Sequence, residues 1–152
     1  MTGTMETTKS FLNWKVAVSP GEVETIMAEW VTAKVLADPS TPGAERMSAV
    51  SLFFEPGQGH ARHNHPESEQ IIFVVSGEGE MMIEFEEGVP VKQNISAGSL
   101  VYIPKGAYHS TFNTGWEPIR ILAVYSPPGP EAAMRNSQEF QVLPAGIAPK
   151  RG

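Results

Sequence analysis

The chain has 152 residues, with 11 basic and 17 acidic side chains, four histidines and no cysteine. One domain with its own core is expected at this length, and the missing cysteines exclude disulfide scaffolds, iron–sulfur ligation, thiolate zinc sites and cysteine nucleophiles. A net charge of −6 argues against nucleic acid as a partner, since phosphate contacts need clustered Lys and Arg.

In chain order, Met1-Thr2-Gly3-Thr4-Met5-Glu6 lacks the basic and then apolar run of a signal peptide, which predicts a cytoplasmic location. No apolar run reaches the length of a membrane span, so no membrane partner is expected. Residues 1 to about 10 are polar and read as poorly ordered. Residues 21–30 fit one helical turn or a strand, and pattern alone leaves both open. Residues 30–36 and 47–54 read as strands from their β-branched and aromatic content, with a Pro- and Gly-containing loop between them. Further strands are predicted at 70–75, 80–85, 89–95, 100–103, 108–113 and 119–125, each bounded by Gly, Pro, Asn or Ser. The 14 glycines and 13 prolines are mostly this punctuation. The class is therefore all-β. Pro127-Pro128-Gly129-Pro130 ends the last strand, and Pro130-Glu131 suits the first turn of a short helix through about Asn136. From Gln141 the tail looks extended or frayed. The organisation is an N-terminal extension (1–29), a β-domain (30–128) and a short helix with a tail (129–152).

Three histidines form a pattern with a chemical reading. His63-Asn64-His65 on an extended segment places two imidazoles on one face, about 7 Å apart along the chain. His109 lies much later, so a shared ion would need strands that converge. Gly57-x5-His63-x-His65-x4-Gln70-x6-Gly77 resembles the first motif of the cupin superfamily, and Gly98-x5-Pro104-x-Gly106-x2-His109-x3-Asn113 resembles the second. The departure is Gln70, which stands where most cupins carry Glu. The resemblance implies a double-stranded β-helix, a small jelly-roll barrel. It also implies one divalent transition metal (Fe, Mn, Ni, Zn or Cu) held by His63, His65, Gln70 and His109, and by analogy a homodimer.

Glu69 and Gln70 compete for the fourth position. Successive strand side chains point to opposite faces, so only one can join the histidines. Spacing to Gly77 favours Gln70, whereas Glu69 is the better anionic ligand. His60 differs in parity from His63 and His65 and reads as a surface histidine. Tyr102 falls roughly opposite His109 across Pro104–Gly106, where its phenol could move a proton beside the metal or simply fill the barrel. Arg120 alternates with Leu122 and Val124; if that face is inward it could clamp a substrate carboxylate. Glu78, Glu80, Glu84, Glu86 and Glu87 read as a wet strand edge. Ile72, Val74, Met81, Ile83, Phe53 and Phe73 are core or dimer-face candidates.

Fold alone does not choose among cupin functions. Neutral ligands would leave a divalent ion its full charge, which suits Lewis-acid chemistry on an anionic small molecule. The leading expectation is an isomerase or lyase acting on a small hydroxy- or oxo-carboxylate. A non-haem Fe(II) dioxygenase and a non-catalytic small-molecule-binding module remain the alternatives.

Overall fold

A computed structural model describes residues 16–40 and 43–150; the polar N-terminal stretch lies outside the described residues. After a 3-10 turn at Pro20–Glu22 come β1 (Thr25–Ala28), β2 (Val31–Ala37), β3 (Ser48–Phe54), β4 (Gly59–His63), β5 (Glu69–Ser76) and β6 (Glu78–Glu86). These are followed by β7 (Val89–Ser96), β8 (Leu100–Ile103), β9 (His109–Asn113), β10 (Ile119–Ser126), helix α1 (Pro130–Asn136) and β11 (Gln141–Leu143). The strands form two antiparallel sheets, ordered β11-β1-β2-β3-β10-β5-β8 and β4-β9-β6-β7. The all-β expectation holds, and the arrangement is that of a jelly-roll double-stranded β-helix. Among the described residues no helix is long and apolar enough to cross a membrane.

Alternation along the strands builds the core. Val31, Ala33 and Val35 of β2, Val50, Leu52 and Phe54 of β3, and Ile119, Ile121, Ala123 and Tyr125 of β10 all point inward and are buried. Ile72 and Val74 of β5 and Met81 and Ile83 of β6 join them as expected. Phe73 instead lies on the outer face of β5 with 41% of its surface exposed. Each large aliphatic side chain so buried contributes about 1.5–3 kcal/mol.

Two open readings are decided at the edges of this framework, and one changes. The ambiguous stretch at 21–30 holds the 3-10 turn and β1. Of the two readings of the tail, the extended one holds at residues 141–143, where β11 pairs with β1 in the register Ile26↔Val142. Glu84 is not a wet edge residue: it is buried, and both its oxygens accept hydrogen bonds from Arg62, at 2.6 and 3.0 Å. That pairing holds its carboxyl down at about 2. Helix α1 is tied to the sheet by Arg135, which bonds Glu24 at 2.5 Å and Asp38 at 3.3 Å.

Gly77 makes the reversal between β5 and β6 with φ of +87°, a conformation that L side chains rarely adopt. A Cβ there would lie 2.7 Å from the Pro118 carbonyl oxygen and 2.8 Å from Ile119 Cα. Gly77→Ala is therefore expected to lower stability by about 3 kcal/mol through backbone strain and overpacking together, measured by denaturant unfolding.

Candidate metal centre

His63 ends β4 and His109 opens β9, and the two are direct partners in the β4–β9 ladder. Direct partners share a face, so both rings enter the barrel, with centroids 4.2 Å apart. His65 follows two residues after His63, and its ring centroid lies 5.0 Å from His63 and 5.3 Å from His109. The segment carrying it is pinned by the Pro104–Gly106 turn: Gly106 N–H donates to the His65 carbonyl at 3.0 Å, and Asn64 Nδ2 donates to the Gly106 carbonyl at 3.2 Å. The two histidine-bearing segments are thus fastened to each other by backbone as well as by the ladder. One ligand atom from each of His63, His65 and His109 lies within 4.8 Å of the others.

Gln70 lies on β5, paired with Tyr125 on one side and Ile103 on the other. It points inward and is 4% exposed, whereas Glu69 is exposed on the opposite face. The choice between them is made by strand parity, in favour of Gln70 as the residue that faces the barrel.

Three buried atoms lack a hydrogen-bond partner here: Nε2 of His65, Nε2 of His109 and Oε1 of Gln70. Buried polar atoms left unpaired are costly, and a cation is the partner that nitrogen and oxygen lone pairs together would accept. Two of the other ring nitrogens are arranged for this. Nδ1–H of His63 donates to the Ala61 carbonyl at 2.7 Å, and Nδ1–H of His109 donates to the Ala107 carbonyl at 2.9 Å. A protonated Nδ1 leaves Nε2 as the lone-pair donor, the arrangement found behind metal-ligating histidines. The residues present fit a divalent ion with neutral ligands.

Burial is the largest influence on the imidazoles. It pushes His63 down to about 2 and His65 down to about 4, with neighbouring histidines adding to the effect, and it lowers His109 as well. All are therefore neutral at pH 7. In chelator-treated protein this has a sign that can be worked out. The unfolded chain takes up protons near 6.5 while the folded chain does not, so the unfolded state binds more protons below that pH. Stability is expected to be full above about pH 6.5 and to fall progressively towards pH 4, read as a falling urea midpoint. A midpoint independent of pH across that window would contradict the burial of these rings.

Three expectations are corrected. Tyr102 does not face His109: β8 belongs to the seven-stranded sheet and β9 to the four-stranded one, so the Pro104–Gly106 turn joins two sheets rather than two paired strands. Tyr102 pairs with Ile71 on the outer face, is 51% exposed, and donates its hydroxyl to Glu69 at 3.1 Å. Arg120 points outward with Leu122 and Val124, because Ile119, Ile121, Ala123 and Tyr125 take the inward positions of β10. His60 is not a surface histidine. It pairs with Thr111 while His63 pairs with His109, so three steps on β4 match two on β9, and this bulge returns His60 to the inner face.

Two residues near the centre were not singled out from sequence. Trp30 stacks on His60 with centroids 4.4 Å apart. Tyr125 meets the His65 ring edge-to-face at 5.2 Å, and its burial pushes its phenol well above the usual range. The signal for Tyr125 was available in the alternation Ile119, Ile121, Ala123, Tyr125; nothing local marked Trp30.

The cupin domain family matches residues 51–125, which contain all four candidate ligands. Glucose-6-phosphate isomerase of Thermococcus kodakarensis is 36% identical over 74 residues, covering 49% of this chain and 38% of that protein. A putative germin-like protein 9-2 of Oryza sativa subsp. japonica is 27% identical over 100 residues, covering 66% of this chain and 47% of that protein. The chain thus spans less than half the length of these relatives. Among solved structures, a Bacillus subtilis oxalate decarboxylase described for its Mn(II) centres superposes with a TM-score of 0.66 at 25% identity, covering 71% of this chain and 29% of that one. Motifs, sheet order and family match agree, and the chain belongs to the cupin superfamily.

Proposed function

We propose that this chain is a metal-dependent cupin enzyme, an isomerase or lyase acting on a small hydroxy- or oxo-carboxylate. The observation that carries the reading is the convergence of one ligand atom from each of His63, His65 and His109, together with buried, unpartnered atoms on His65, His109 and the inward-facing Gln70. A divalent ion bound there would supply Lewis-acid polarisation of a substrate hydroxyl or carbonyl oxygen. The chain's own residues determine how strong that effect is. Three neutral imidazoles and a neutral amide cancel none of the ion's charge, which favours an anionic substrate over a neutral one. The Nδ1–carbonyl bonds of His63 and His109 keep their Nε2 lone pairs aimed into the barrel. Tyr125 and the surrounding apolar side chains exclude water from one side of the site, which strengthens electrostatic contacts within it.

The resemblance to an isomerase and to a decarboxylase, which is a lyase, supports this class of reaction. The test is turnover of a panel of α-hydroxy acids, oxo acids, diketones and catechols by metal-loaded protein with an oxygen electrode in place. Product formation from a hydroxy or oxo acid without oxygen uptake is the expected result. Substrate-dependent oxygen consumption would replace the reading with a dioxygenase, and tight binding without turnover would replace it with a binding module.

A further inference from the structure

We infer that Trp30 and His60 form a positioning stack for His63, fixing the plane of one metal-ligating ring from outside the ligand set. The inference rests on the metal-centre reading. The His60 ring lies parallel to His63 with centroids 3.4 Å apart and planes inclined by 17°. Its other face carries Trp30, at 4.4 Å and 30°. His60 is thus sandwiched, and its ring does not belong to the cluster of convergent ligand atoms.

His63 needs such support because of where it sits. It is the last residue of β4, just past the bulge, and its hydrogen bond through Nδ1 is to a carbonyl only two residues back. A single local bond at a strand end sets the direction of the Nδ1–Nε2 edge but not the rotation of the ring about that bond. Packing a flat ring against one face fixes that rotation. The bulge is what makes this possible, since without it His60 would point out of the barrel.

Trp30 is held in turn by residues distant in sequence. Its Nε1–H donates to Glu139 at 2.6 Å, Phe140 meets it edge-on at 5.8 Å, and Phe54 lies at 6.1 Å. Glu139 and Phe140 lie between α1 and β11, so the C-terminal segment reaches the metal ligand through two stacked rings. Ligation draws electron density from His63, and a ring made more positive is attracted to the face of its neighbour. Trp30 should therefore register ion binding in its emission.

The test uses the full chain with Trp14→Phe and Trp116→Phe, leaving Trp30 as the single tryptophan, titrated with Zn(II) alone. Zinc is compatible with imidazole ligands and does not itself quench fluorescence through unpaired electrons. Expected results are a saturable change in Trp30 emission, Zn(II) affinity about 10–100-fold weaker in His60→Ala by calorimetry, and recovery of most of that affinity in His60→Phe. Recovery by phenylalanine separates a stacking role from a ligating one, because phenylalanine keeps the flat face and has no nitrogen. Undiminished affinity in His60→Ala overturns the inference, as does equal weakness of the alanine and phenylalanine variants. Should His60→Ala fail to fold, the unaltered stack still decides: Zn(II) saturation without an emission change overturns it. Failure of the parent protein to bind Zn(II) at all overturns the metal-centre reading instead, and the inference falls with it.

Discussion

His109→Ala is expected to abolish metal retention, with metal analysis of the purified protein falling from about one divalent ion per chain to a trace. His109 is 1% exposed, its Nδ1 is committed to the Ala107 carbonyl, and its buried Nε2 has no protein partner. Loss of a residue that merely orients a metal ligand costs about 10–100-fold in affinity, and loss of the ligand itself should exceed that. His63→Ala should behave alike. Tyr102→Phe serves as the control, because Tyr102 lies on the outer face with Glu69 and its loss should leave the metal content unchanged. Near-stoichiometric metal in His109→Ala would sink the ligand assignment.

Asn113→Asp is the substitution expected to cost most in stability, about 3–5 kcal/mol, or a drop in Tm on the order of 10 °C. Asn113 is 2% exposed and uses its whole amide. Nδ2 donates to the Phe54 carbonyl at 3.0 Å and to the Glu117 carbonyl at 2.7 Å, while Oδ1 accepts from Gly115 N–H at 2.8 Å. One side chain thus joins the end of β3, the end of β9 and the loop leading into β10. Aspartate turns the double donor into an acceptor facing two carbonyl oxygens, orphaning both and burying a charge against them. The same strand begins at His109, so loosening its far end should also weaken metal binding, though less than His109→Ala. Thermal unfolding within 2 °C of the parent would show that Asn113 is not the fastening its bonds describe.

The motif residues were legible because their chemistry and spacing are local. His63, His65 and His109 attract notice by type; strand parity allows only one of Glu69 and Gln70 inside, and the spacing to Gly77 points to the amide, which is the buried one. The strands of the β-domain were legible for the same reason: Gly and Pro mark their ends, and apolar residues at every second position mark their inner faces. Where regularity breaks, strand parity no longer places a side chain. His60 was placed outside by counting residues, and the bulge in β4 put it inside. A bulge is set by the partner strand, here the two-residue step from Thr111 to His109, and leaves no mark in the residues that carry it.

Tyr102 and Arg120 show the second kind of failure. Both depend on which sheet a strand joins and which of its faces meets the other sheet. The turn at Pro104–Gly106 looks the same whether it links paired neighbours or crosses between layers, and only the long-range ladders β5–β8 and β4–β9 distinguish the cases. Glu84 belongs here too, since a glutamate is tolerated in a buried position only when a partner such as Arg62, 22 residues away, arrives to pair with it.

The sequence by itself determined the all-β class, most strand positions and the absence of thiol chemistry, because each follows from residue type and short-range periodicity, while the candidate ligands came from the resemblance of its two motifs to those of cupins. The tertiary structure alone decided that the three histidines meet, that Trp30, His60 and Tyr125 lie beside them, and that Tyr102 and Arg120 do not. Those outcomes rest on strand register and on the pairing of segments tens of residues apart, which are fixed by the packing of two sheets against a shared core and not by any local run of residues.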